Sequence, residues 1–127
     1  MEIWELDFEW LKVRHIVKNA FNKPILPDLQ SILFLIGVQE LGKVQTEFTK
    51  EEKVDILHIA VCSLLSRKGI YEFIGRDEDA WPHYQQRIGI DKDGVENQEI
   101  LLKECIIDYF KELNLENGGF DLEKLET

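Results

Sequence analysis

The sequence predicts an all-α fold. We read a single domain, residues 1–127, with about four main helices around a central buried one and a long irregular connection over 70–94. Three observations predict it. Residues 49–69 form a helical segment with both ends marked, apolar on nearly all sides between Val54 and Leu65. Apolar intervals of three and four recur in segments before and after it. Residues 70–94 lack that period and carry three glycines, a proline and two short acid runs, so they read as the connection, with weak alternation at 70–74 that suits a short extended segment and a short helical turn left open at 79–86.

The central segment is TKEEKVDILHIAVCSLLSRKG. Thr49 is placed as an N-cap, and Glu52 three residues on completes a capping box. Arg67 and Lys68 fall in the last turn, where the macrodipole favours cations, and Gly69 suits a left-handed C′ position. Between Val54 and Leu65 only Asp55, His58 and Ser63 are polar, so neighbours should cover the helix on several sides. Val54, Leu57, Val61, Leu64 and Leu65 are expected to be nearly fully buried.

Ahead of it, Ile3, Leu6, Trp10, Val13, Val17 and Ala20 mark one stripe of a first helix, and Trp4, Phe8, Leu11 and Ile16 widen it to a second face. An alternative start has Asp7 capping a helix from Phe8. Lys23-Pro24 and Leu26-Pro27 break the chain, since proline disfavours helix in the residue before it. Asp28 should cap a second helix, Leu29 to Leu41, with Gly42 at its end. Gly37 inside that helix costs about 1 kcal/mol relative to alanine, which points to close approach of another helix. Lys43 to Phe48 reads as a short polar connection. After the 70–94 segment, Val95 to Leu113 carries a further apolar side with Cys105, Ile106, Tyr109 and Phe110. Gly118-Gly119 ends that pattern, and Phe120, Leu122 and Leu125 of the tail are available for docking.

Composition limits the function classes. The net charge is −10, which argues against generic nucleic-acid binding, a task for clustered Lys and Arg; a small anionic ligand held by a few local donors stays open. The longest apolar run, 32–38, is too short to span a bilayer, so no membrane partner is expected. The acidic N-terminal stretch lacks the pattern of a secretory signal, and the cytoplasm is the expected location. Cys62 and Cys105 each lie inside an apolar helical pattern and should be buried thiols.

Two places carry candidate chemistry. On the central helix, Glu51, Asp55, His58 and Cys62 share one stripe, and Asp55-x-x-His58 has the spacing of di-metal helical bundles, which need a second such unit. The other reading is a histidine satisfied by Asp55 or by backbone. The second place is 75–84, which gathers Arg76, Asp77, Asp79, Trp81, His83 and Tyr84. Aromatic surface with an arginine fork is typical of binding hot spots; alternatively Trp81 and Tyr84 pin the loop to the core. We expect this loop to fold back towards Asp55 and His58 and supply their polar partners.

The stretch QELGKVQ followed by EEKVDILHIAVCSLL resembles a degenerate form of the all-α nucleotide pyrophosphohydrolase (MazG-like) pattern. That resemblance implies a divalent metal held by acidic pairs on two helices against a nucleoside triphosphate. Glu52 and Asp55 match the second pair, and Glu40 matches the first acid of the first pair. Lys43 stands where the other acid belongs, which removes an oxygen ligand from a hard-cation site.

The sequence thus favours a non-catalytic binding or protein-interaction module, with a protein partner or a second copy of itself in a homodimer. The rival is a small metal-dependent hydrolase using Glu40, Glu52 and Asp55. A metal-binding bundle with Asp55 and His58 ranks third.

Overall fold

The computed structural model describes residues 2–42, 47–89 and 95–116, the side chains of 95–97 and 114–116 excepted. Its elements in order are α1 (Ile3–Ala20), α2 (Leu29–Leu41), α3 (Lys50–Ser66), β1 (Tyr71–Arg76), β2 (Pro82–Gln86) and α4 (Val95–Glu116). The protein is mostly helical, but it is not all-α: an antiparallel hairpin occupies much of the segment expected to be irregular. Residues 43–46 of the expected 43–48 polar link, residues 90–94 and the tail from 117 on, with its glycine pair and docking hydrophobics, lie outside the described residues.

Local chemistry sets the helix ends. Thr49 Oγ1 accepts from the Glu52 amide at 3.1 Å, and the Thr49 amide donates to Glu52 Oε1 at 2.9 Å. Two of the amides left without partners at the start of α3 are satisfied this way. Asp28 Oδ1 accepts from the Ser31 amide at 2.8 Å and so caps α2. That bond holds the Asp28 carboxyl below its usual range. Gly42 closes α2 at φ 71°, in the left-handed region. The first helix starts at Ile3, so the alternative start at Asp7 is not used. It ends at Phe21–Asn22, where Asn22 takes φ 50° and the Lys23 amide donates back to the Lys18 carbonyl at 3.0 Å.

Helix α3 is the hub: it packs against α2, α4 and both strands. The main core joins Leu6, Trp10, Val13 and Val17 of α1 to Ile32 and Ile36 of α2, Ala60 and Leu64 of α3, and Ile106 and Phe110 of α4. A smaller cluster of Leu41, Ile56 and Ile59 lies beneath Trp81. The rotational setting of α3 differs from the sequence expectation. Leu64 and Leu65 are buried, but Leu57 and Val61 are only partly covered and Val54 is 61% exposed. Ile56, Ile59 and Ala60 point inwards instead. Cys62 and Cys105 are buried free thiols, as expected.

Gly37 meets the expectation of close approach, and the neighbour is the central helix. A Cβ at this position would overlap the carbonyl oxygen of Ile56 and stand 2.6 Å from its Cγ2. Backbone cannot yield as a flexible side chain can. Overpacking costs about 1–3 kcal/mol, against a gain of about 1 kcal/mol in helix propensity from glycine to alanine. Gly37→Ala should therefore destabilise the protein, by up to about 2 kcal/mol. An increase in the chemical-denaturation midpoint would contradict the packing described here.

Candidate functional site

The hairpin is built from a six-residue strand, a tight acidic turn and a strand opened by a proline. β1 and β2 pair in the register Tyr71↔Gln86, Phe73↔Tyr84 and Arg76↔Pro82, with an irregularity between Phe73 and Gly75. Gly75 takes φ 121°, which a side chain would resist. Pro82, at the first strand position, is buried without disturbing the ladder. Across the strands Phe73 and Tyr84 meet edge to face, with ring centroids 5.6 Å apart.

Asp77 organises the turn. Its Oδ1 accepts from the amides of Asp79 (2.9 Å) and Trp81 (3.0 Å), and its Oδ2 lies 2.9 Å from His83 Nε2. The histidine first, then the Trp81 and Asp79 amides, hold the Asp77 carboxyl below its ordinary value of 3.8. A carboxylate depressed in the folded state contributes stability above its unfolded pKa and loses it as the pH falls through the folded one. The turn should thus keep its structure through the usual carboxylate range and loosen only at more acid pH. In an NMR titration, the Trp81 amide should report a midpoint below 3.8. A midpoint at or above that value would mean the Asp77 bonds do not hold the turn in solution.

Arg76 has a structural post that the sequence did not disclose. Its Nη1 donates to the carbonyls of Leu41 (2.9 Å) and Ala80 (2.8 Å), and its Nη2 to that of Glu40 (3.1 Å). The guanidinium thus covers carbonyls that α2 leaves open at its C-terminus, where the helix dipole favours a cation. Trp81 packs against the Leu41–Ile56–Ile59 cluster. Tyr84 is half-buried, and burial pushes its phenol up. These contacts match the alternative in which the aromatics pin the loop to the core.

The loop therefore fastens elsewhere than on Asp55 and His58: Arg76 serves the end of α2, and His83 serves Asp77. Tyr71, outside 75–84, reaches His58 of the α3 stripe, while Tyr84 of the loop reaches α3 at Ser63, next to Cys62. The Tyr71 ring stands edge to face with His58 at 6.4 Å. His58 is exposed, and its Nε2 lies 3.4 Å from Cys62 Sγ. Burial pushes the Cys62 thiol up to about 11, so it stays protonated and is no nucleophile at neutral pH. Asp55 is exposed, and no polar partner has to be imported for it.

Of the acids of the hydrolase rival, Glu52 and Asp55 stand about one turn apart on α3 and Glu40 stands at the end of α2. One carboxylate oxygen of Glu52 is taken by the capping box. Asp55 faces solvent, and the backbone at Glu40 serves Arg76. Lys43 lies outside the described residues. Among the described residues no three His, Cys, Asp or Glu side chains converge as ligands to one metal would.

A different surface stands out. Trp4, Phe8, Leu11 and Ile16 of α1 are 70, 58, 42 and 37% exposed. The sequence signal for it was the second set of apolar residues on this helix, taken there as a widening of the buried stripe. Among the described residues no helix is long and apolar enough to cross a membrane. Comparison with protein-family models, curated proteins and solved structures finds no match, so this surface and the hairpin must be read from their chemistry alone.

Proposed function

We propose that this protein is a non-catalytic interaction module that binds another protein surface through the outer face of α1. The observation that carries the reading is the run of large apolar side chains there, Trp4 and Phe8 above all, left in solvent on one helix face. Single exposed hydrophobics are ordinary, but a contiguous set on one helix face marks an interaction surface. Trp and Phe are also residue types that interfaces favour over the rest of the surface. The polar candidates support the same reading from the other side. Arg76, Asp77, His83 and Glu52 are each engaged in holding backbone or one another.

The test is photo-crosslinking of the full chain in cells, with a photoreactive phenylalanine analogue at Phe8 and, as control, at Phe73 on the hairpin. Adducts of discrete mass from position 8, identified by mass spectrometry and absent from position 73, are the expected result. No protein adduct from position 8 would overturn the reading. Magnesium-dependent cleavage of a nucleoside triphosphate, lost on Glu52→Gln with Asp55→Asn, would replace it with the hydrolase.

A further inference from the structure

The outer face of α1 follows a heptad seam of its own. Trp4, Phe8, Leu11 and His15 are spaced four, three and four apart, and all four are exposed. The buried residues of the same helix, Leu6, Trp10, Val13 and Val17, repeat that spacing two positions later. Two residues on a helix correspond to about 200° of rotation. One helix therefore presents two opposite seams with the same period, the inner one filled by this fold and the outer one in solvent.

Charge is ordered along the outer seam. Every acid of α1 (Glu5, Asp7, Glu9) precedes every base (Lys12, Arg14, Lys18). The helix dipole favours that polarity, but only within the first and last turns, where Glu5 and Lys18 lie. Asp7, Lys12 and Arg14 are further in. With Phe8 and His15 as a positions and Trp4 and Leu11 as d positions, Glu5 and Lys12 occupy e, and Asp7 and Arg14 occupy g. These flanks decide partner and orientation in coiled coils. In a chain of net charge −10, α1 has three acids and three bases and so is neutral.

We infer that this face pairs with the same face of a second copy, antiparallel, about a two-fold axis between Phe8 and Leu11. The inference rests on the interaction-module reading and names its partner. In that register Phe8 faces Leu11 of the second copy, and Trp4 faces its His15. Glu5 falls beside Lys12 of the second copy and Asp7 beside its Arg14, and the axis repeats each pair. A parallel pairing would leave Glu5 and Arg14 without opposite charges. Arg14 Nε already donates to the Pro27 carbonyl at 2.8 Å, which holds the root of its guanidinium still. Lys12 Nζ, 3.5 Å from Glu9 Oε1 of its own helix, lies 5.5 Å from the Phe8 ring centroid, on the flank where Glu5 of the second copy would arrive.

The experiment is sedimentation equilibrium of the full chain from micromolar to millimolar concentration, with Glu5→Lys and Lys12→Glu as variants that leave the Arg14–Pro27 bond alone. The wild type should reach twice 14.9 kDa. Each variant alone should associate about tenfold more weakly or worse, since each turns two attractive pairs into repulsive ones. An equimolar mixture of the two should recover wild-type association, because positions 5 and 12 of one variant then meet opposite charges on the other. Circular dichroism checks that both variants fold. Orientation is read from disulfides: Trp4→Cys mixed with His15→Cys should cross-link, and neither should cross-link to itself. A wild type that is monomeric throughout, variants that associate as tightly as wild type, or self-linked disulfides would each overturn the antiparallel pairing inferred here. If the chain is monomeric but position 8 still cross-links to another protein, the interaction-module reading stands and only the second copy is excluded.

Discussion

Ile56→Ala should lower the unfolding free energy by about 2–5 kcal/mol, the range for large-to-small changes in a core. Val54→Ala, two positions earlier on the same helix, should stay within about 0.5 kcal/mol. Ile56 is 0% exposed and Val54 is 61% exposed. The Ile56 side chain fills the space above Gly37 and joins Leu41 and Ile59 beneath Trp81. Helix backbone lines one side of the space it would vacate. That wall cannot relax inwards easily, so a cavity persists and the cost falls towards the upper part of the range. Urea unfolding with an unchanged slope would attribute the effect to stability alone. If Val54→Ala cost more than Ile56→Ala, α3 would be set about half a turn away from the orientation described here.

That pair of substitutions marks the limit of the sequence. The position and start of α3 were legible because they rest on local chemistry: Thr49 and Glu52 form the capping box that their spacing announced, whereas the helix stops at Ser66 with Arg67 as its C-cap, before the expected cationic last turn. Its hub position was legible from its composition. Its rotational setting was not, because a helix apolar on nearly all sides carries little directional signal. Val54 and Ile56 look equally fit for the core until the neighbours are known. Gly37 was legible as a contact because a glycine inside a helix needs a reason. Weak alternation at 70–74 pointed to the first strand, but β2, where a helical turn was left open, and the pairing of the two escaped for three physical reasons. The hairpin's alternation is broken by the irregularity after Phe73. Most of its residues are exposed on both faces. Its turn depends on one aspartate side chain rather than on an Asn-Gly pair.

The site was legible in its residues and not in their connections. Arg76, Asp77, Trp81, His83 and Tyr84 were singled out together, and all five do act within the hairpin. What spacing could not convey is that the carbonyls at the end of α2, some 35 residues away, take the arginine. Long-range pairing to backbone leaves no trace in residue type. The α1 surface was visible as a second apolar face. Its exposure follows from the packing of α1 against α4 through one stripe alone, a fact of tertiary structure.

Arg76→Ala should cost about 1.5–3 kcal/mol, the range for hydrogen bonds to a charged group, and the loss should be local before it is global. The guanidinium ties three carbonyls from two elements: Glu40 and Leu41 at the end of α2, and Ala80 in the hairpin turn. Removing it leaves the α2 terminus without its cation and the turn without its link to the helix. Trp81 would still cover Leu41, Ile56 and Ile59, so the fold should survive with a loosened hairpin. Amide exchange at Phe73, Tyr84 and Trp81 should then accelerate well beyond that of α3, because the hairpin opens without global unfolding. Arg76→Lys should not restore protection. A single ammonium on a flexible stem cannot reach three carbonyls in the planar fork that arginine offers. Wild-type exchange in the alanine variant, with a stability change under about 0.5 kcal/mol, would show that Trp81 and the Asp77 turn hold the hairpin by themselves and that the arginine is a surface ornament.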